Sequence, residues 1–137
     1  AVLCGEAERV VAVEKNPEAC KYLKENVVLN GFEDKIDARC GDVKEIVPEL
    51  NEKFDRVIMP LPESAADFLD LAVEALNSEG IVHLYTFVGE KDFRPVEEKI
   101  ERVASRKGLE YEILDKVQCG VKSPSEDRYC IDIKFFD

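Results

Sequence analysis

Two acidic residues stand at places where a side chain can meet a ligand. Glu14 follows the apolar run Val10-Val11-Ala12-Val13, and Asp42 follows Ile36 to Cys40 with Gly41 between. A carboxylate at the carboxyl end of a parallel strand lies where open α/β sheets bind their ligands. There Glu14 could accept hydrogen bonds from a pair of ribose hydroxyls, although from this stretch alone an ordinary exposed Glu at a strand end accounts for it equally well. Pro60-Leu61-Pro62 is a candidate of another kind. Proline fixes its own φ and biases the residue before it towards an extended shape, so such a turn holds its carbonyls with little entropy left to lose. Taken alone, paired prolines that merely end a strand are the plainer reading. Glu63 sits beside that turn as a tempting base, but exposed Glu is common. His83 lies inside an apolar run and is expected as a hydrogen-bonded core histidine. Ser123 to Arg128 form a polar loop within reach of a substrate, with a plain hairpin connection as the default.

A strand running straight into a helix must position the first of these. Val10 to Val13 is short and continuously apolar, the pattern of a strand buried on both faces. Asn16 is placed to cap the following helix, and Pro17 fits its first position, where no amide donor is needed. Glu18 to Leu29 then carry Ala19, Cys20, Leu23 and Val27 on one face, and Asn30-Gly31 ends the helix. Ile36 to Cys40 make a second strand, and a short helix runs from Asp42-Val43 to about Leu50. Phe54 to Leu61 form a third strand. Ser64-Ala65-Ala66-Asp67 matches a capping box and opens a helix through Leu76 with Phe68, Leu69, Ala72 and Leu76 inward.

Gly80 precedes the longest apolar run, Ile81 to Val88, expected as a central strand. Arg94 to Lys107 form a helix with Val96, Ile100, Val103 and Ala104 on its core face, stopped by Gly108. Tyr111 to Val117 and Tyr129 to Phe136 are strands joined by a long polar connection, and Tyr129, Ile131, Ile133 and Phe135 alternate with polar or smaller neighbours. Ala1 to Glu8 look like the tail of a helix and a turn. The order β-α-β-α-β-α-β-α-β-β specifies an α/β fold of parallel crossovers that finishes in an antiparallel hairpin.

Composition bounds the function. At 137 residues with 45% apolar content the chain makes a single globular domain. No apolar stretch approaches a membrane span and no signal-peptide pattern opens it, so a cytoplasmic protein is expected. One histidine and five cysteines without a Cys-x-x-Cys pair leave no zinc site, and reduced, mostly buried thiols are expected. Thirty acidic against nineteen basic residues give a net charge of −11. Nucleic-acid affinity rests on neutralising phosphates, so a polynucleotide substrate would have to be held by something else.

Several stretches together carry a resemblance. Ala12 to Pro17 with Leu23 to Gly31, Gly41-Asp42-Val43, Asp55 to Pro62, Gly80 to Thr86 and Ser123 to Phe135 span nearly the whole chain. The sequence resembles the methyltransferase domain of the archaeal and eukaryotic type of tRNA (guanine-N1)-methyltransferase, which modifies the base beside the anticodon. The first two stretches are generic to class I methyltransferases; Arg56 to Pro62 and Ile81 to Thr86 are more specific. The resemblance implies a Rossmann-like sheet, mostly parallel, ending in an antiparallel hairpin. It implies S-adenosylmethionine as cofactor, with Glu14 on the ribose, Asp42 and the Val43 amide on the adenine, Lys15 and Pro60 beside them, and Pro62 in the catalytic wall. It implies a tRNA partner, held through domains outside this chain.

Two departures stand out. The family usually reads Asn-Leu-Pro where this chain has Pro60-Leu61-Pro62, so any contact that depends on the Asn amide is lost. The family also opens with a strand and a Gly-rich turn for the methionine end of the cofactor, and none of the seven glycines here forms such a cluster. Residues 1–137 are therefore expected to be one such domain cut just after its first motif, lacking the first strand. The acid-base Glu and the Arg of the family then lie upstream. Such a chain is expected to be inactive alone, with a homodimer as one way of covering the vacant strand position. An aminocarboxypropyltransferase of wybutosine synthesis, which uses the same cofactor, is the near alternative. A non-catalytic scaffold domain is the distant one.

Overall fold

The computed structural model describes residues 7–61 and 65–137. The expected helix tail at the start and the Ser64 cap lie outside the described residues, wholly or in large part. The chain divides into two compact units, Ala1–Asn51 and Glu52–Asp137. Among the described residues no helix is long and apolar enough to cross a membrane.

The first unit is built on a parallel pair, β1 (Val10–Glu14) and β2 (Ile36–Cys40), in register from Val10 opposite Ile36 to Glu14 opposite Cys40. The crossover is α1 (Pro17–Leu29), and α2 (Val43–Leu50) follows β2. Asn16 caps α1 as expected: its Oδ1 accepts from the Glu18 and Ala19 amides at 2.9 and 3.5 Å. Pro17 takes the first helical position. Cys20 and Val27 are the buried apolar side chains of this unit among the described residues. The thiols are not all reduced: Cys20 and Cys40 form a disulfide, which corrects the expectation. The crossover sets the first turn of α1 against the last residue of β2 and brings the two Cα atoms to 5.7 Å. Nothing in the 20-residue spacing announces that proximity.

The second unit is a four-stranded sheet in the order β3-β4-β6-β5. Its elements are β3 (Phe54–Met59), a 3-10 turn (Ala65–Phe68), α3 (Leu69–Glu74), β4 (Leu76–Gly89), α4 (Arg94–Lys107), β5 (Glu110–Ser123) and β6 (Glu126–Phe136). β3 and β4 are parallel, while β6 runs antiparallel to both β4 and β5. The expected α/β arrangement with a closing hairpin is present. One sheet face buries Val82, Leu84 and Val88 of β4 and Ile131, Ile133 and Phe135 of β6 against the helices. The four residues assigned to the core face of α4, Val96, Ile100, Val103 and Ala104, are all buried there.

Boundaries differ where non-local pairing overrides local pattern. β3 stops at Met59, short of the expected Leu61, because Pro60 has no N–H for the ladder. The helix expected through Leu76 closes at Glu74, and Leu76 opens β4 opposite Phe54. The pairing then slips between Phe54 and Arg56. The chain folds tightly there: a Cβ on Gly80 would lie 2.8 Å from Leu76 Cδ2 and 2.9 Å from the Asn77 carbonyl, a space only glycine fits. The long connection expected between the last strands shrinks to Pro124-Ser125, since register shifts in β5 let its polar residues keep pairing with β6.

Two outcomes test this packing. Ile131 is fully buried at the centre of β6, so Ile131→Ala should cost about 2–5 kcal/mol in chemical denaturation. Replacing Cys20 and Cys40 by Ala should lower the local stability of the first unit by about 3 kcal/mol, the loop-closure value for a bridge of this span. Hydrogen exchange of the α1 and β2 amides reads that loss.

Candidate functional site

The carboxyl ends of β1 and β2 lie side by side, and Glu14, Lys15, Asp42 and Val43 meet there. Glu14 pairs in register with Cys40, and the Gly41 amide donates to the Glu14 carbonyl at 2.9 Å. Gly41 has φ +150°, and a Cβ on it would stand 2.9 Å from Ile46 Cδ1, so the turn needs glycine to bring Asp42 back beside β1. The Cys20–Cys40 bridge ties the start of α1 to the same corner.

Each acid is partly committed. Glu14 Oε1 accepts from the Asn16 amide at 2.7 Å, and among the described residues Oε2 stays open. Asp42 is the N-cap of α2, its Oδ1 accepting from the Lys44 amide at 2.9 Å. Its Oδ2 accepts from Lys15 Nζ at 2.8 Å. The Lys15 hydrogen bond, seconded by the Lys44 amide, holds the Asp42 carboxyl below the usual carboxylate range. The same bond raises the Lys15 ammonium above its ordinary value. Each carboxylate oxygen still has a second lone pair. Val43 is the first residue of α2, so its amide is one of the helix's unpaired leading donors. The corner therefore offers two acceptors and a backbone donor, the set that the sugar and base of a nucleoside require.

Pro60 belongs to the second unit, at the exit of β3. It is exposed, and its carbonyl accepts from Arg128 Nη2 at 3.4 Å. The Arg128 guanidinium lies over the Tyr85 ring, 4.9 Å from its centre. Pro62 and Glu63 lie outside the described residues. The polar neighbours of Arg128 suggest a connecting loop, yet it stands on β6.

The same sheet face carries a polar chain that local pattern did not show. Arg56 Nη1 lies 3.0 Å from His83 Nε2, and His83 Nδ1 lies 2.7 Å from Asp132 Oδ1. A guanidinium only donates, so Nε2 accepts, and Nδ1 carries the proton that it donates to Asp132. The Cys130 thiol donates to the same oxygen at 3.5 Å. Burial first, then Asp132, pushes that thiol up to about 11, so it stays protonated at neutral pH. His83 is thus satisfied as expected, though on the half-buried face of β4 and not in the main core. Its Nδ1, Cys130 Sγ and an Asp132 oxygen lie within 4.8 Å of one another, a spacing a cation could bridge. Protons occupy two of those three positions, and the group works as a hydrogen-bond chain linking β3, β4 and β6.

Comparison with known proteins places this geometry in a family. Residues 1–114 match the TRM5/TYW2 methyltransferase domain. A relative from Pyrococcus abyssi, named tRNA (guanine(37)-N(1))-methyltransferase Trm5b, is 35% identical over 134 residues, which is 97% of this chain and 39% of that protein. The crystal structure of Trm5b from Pyrococcus abyssi matches with a TM-score of 0.89 at 34% identity, covering 99% of this chain and 40% of that one. A Methanocaldococcus jannaschii relative, named tRNA(Phe) (4-demethylwyosine(37)-C(7)) aminocarboxypropyltransferase, is 34% identical over 130 residues, 92% of this chain and 50% of that protein. The crystal structure of M. jannaschii TYW2 in complex with AdoMet matches with a TM-score of 0.83 at 29% identity, covering 94% of this chain and 58% of that one. The likeness establishes an α/β fold of the class I methyltransferase kind, with a mixed sheet and antiparallel carboxyl-terminal strands. The chain spans about two fifths of the length of its Trm5b relative.

The Lys15–Asp42 pair has a defined pH window. Because the Asp42 pKa is lowered on folding, the stabilisation is present above the ordinary carboxylate range and is lost as pH falls through the lowered value. Titration of the Asp42 side-chain carbon by NMR should show a midpoint below that of a model Asp peptide. Lys15→Met should move it back up.

Proposed function

The chain belongs to the TRM5/TYW2 methyltransferase-domain family, and on that premise we propose that it holds S-adenosylmethionine and serves methyl transfer to N1 of a guanosine in tRNA. The observation that carries this reading is the placement of Glu14 and Asp42 at the ends of neighbouring parallel strands, bridged by the Gly41 turn. The cofactor supplies an electrophilic carbon on a sulfonium. Glu14 Oε2 accepts from the ribose hydroxyls. Asp42 accepts from the adenine amino group through its remaining lone pairs, and the Val43 amide donates to a ring nitrogen. Lys15 keeps Asp42 ionised and oriented.

Displacement at a sulfonium gains chiefly from positioning, and the family resemblance assigns part of that positioning to Pro60 and Pro62. Guanine N1 carries a proton, so a general base must take it, and a cation must steady charge on O6. The base and the cation come from parts of the protein outside this stretch, as the resemblance implies. The tRNA is held there too, because a chain of net charge −11 offers few phosphate contacts.

Aminocarboxypropyl transfer is the second reading, favoured by the M. jannaschii relative of nearly equal identity. It breaks a different carbon–sulfur bond of the same cofactor. Incubating the full-length protein with S-adenosylmethionine and a tRNA bearing the unmodified guanosine separates the two by product mass. N1-methylguanosine is the expected product, and a larger adduct would assign the alternative.

Binding tests the pocket independently. Glu14→Ala and Asp42→Ala should each weaken S-adenosylmethionine by about 1.5–3 kcal/mol in calorimetry, the loss of a hydrogen bond to a charged group. Circular dichroism should be unchanged. Equal affinity in both variants would remove the nucleoside pocket.

A further inference from the structure

Arg128 stands on β6 opposite Phe87 of β4, so its side chain starts one strand away from β3. It crosses β4 over the Tyr85 ring and reaches the Pro60 carbonyl, 68 residues away in sequence, at the point where proline ends β3. Stacking on Tyr85 holds the planar guanidinium against the sheet. Two features show a clamp that is not fully engaged. The Pro60 contact, at 3.4 Å, is at the long end for a hydrogen bond. Arg128 Nε is buried and lacks a partner among the described residues, and a buried donor left unpaired is costly. Hydrogen bonds that serve catalysis are often long in the free enzyme and tighten in the reacting complex.

We propose that Arg128 is a positioning residue of the transfer reaction, fixing the Pro60–Leu61 segment through the Pro60 carbonyl and closing its fork when the substrate base is seated. This rests on the transferase reading above. Arg128 does not itself touch the reacting atoms. It acts on the Pro60 backbone, which the resemblance implies stands beside them, and a misplacement there lowers the rate of transfer more than the affinity for the cofactor. Lysine cannot replace it, because an ammonium neither stacks as a plane nor spans a carbonyl with a fork.

The test uses the full-length protein and the variants Arg128→Lys and Arg128→Gly. With S-adenosylmethionine and tRNA, kcat should fall by about ten- to a hundredfold in both, the scale of a small misplacement near the chemistry. KM for the cofactor should change by less than about threefold, since Glu14, Asp42 and the Val43 amide keep their places. Added ethylguanidinium should restore kcat to Arg128→Gly and leave Arg128→Lys unrescued. The NMR resonance of the Pro60 carbonyl carbon should shift in both variants. Unchanged kcat, or a loss in Arg128→Gly that ethylguanidinium does not restore, overturns the positioning role. A wild-type protein that transfers nothing overturns the transferase reading instead. The Pro60 resonance then decides whether Arg128 sets the turn, and no shift overturns that as well.

Discussion

The second unit depends on the two-sidedness of β4. This strand is paired on both edges, parallel to β3 and antiparallel to β6, so all its central backbone groups are committed to ladders. Its side chains then have only two directions. Val82, Leu84 and Val88 face the helices and form the core with Ile131 and Ile133. His83, Tyr85 and Phe87 face the other way and meet cations: Arg56 on His83, Arg128 on Tyr85 and Lys122 on Phe87. A one-residue slip would exchange the two sets and turn the His83 imidazole and the Tyr85 hydroxyl into the apolar core. The apolar face thereby holds the register of the polar one.

The first unit solves a different problem. Among the described residues its buried apolar side chains are Cys20 and Val27, so these residues gain little from burial. Its order comes from directed interactions at one corner: the Asn16 cap, the Gly41 amide on the Glu14 carbonyl, the Lys15–Asp42 pair and the Cys20–Cys40 bridge. These contacts converge on the same few residues that are proposed to bind the nucleoside. Stability and the fixed placement of the Glu14 and Asp42 carboxylates therefore have a common source here.

Charge separates two tasks in the proposed reaction. A surface of net charge −11 repels phosphate. It is compatible with holding a nucleoside cofactor through hydrogen bonds and poorly suited to holding a polynucleotide.

The local pattern of residues was enough to determine the element order, the cap at Asn16, the core faces of α4 and β6 and the placing of Glu14 and Asp42 at strand ends. All of these depend on neighbours within a few positions, where helix and strand periods and capping chemistry act. The family resemblance likewise rested on short stretches. Tertiary structure alone decided that Cys20 meets Cys40, that Asp42 is shared between Lys15 and the α2 cap, and that Arg56, His83 and Asp132 form one chain. It also moved Arg128 from a supposed loop onto β6, within reach of Pro60. Each of these joins residues brought together by strand pairing or by the α1 crossover. Their types carry no mark of a partner tens of positions away, so only the folded sheet could reveal them.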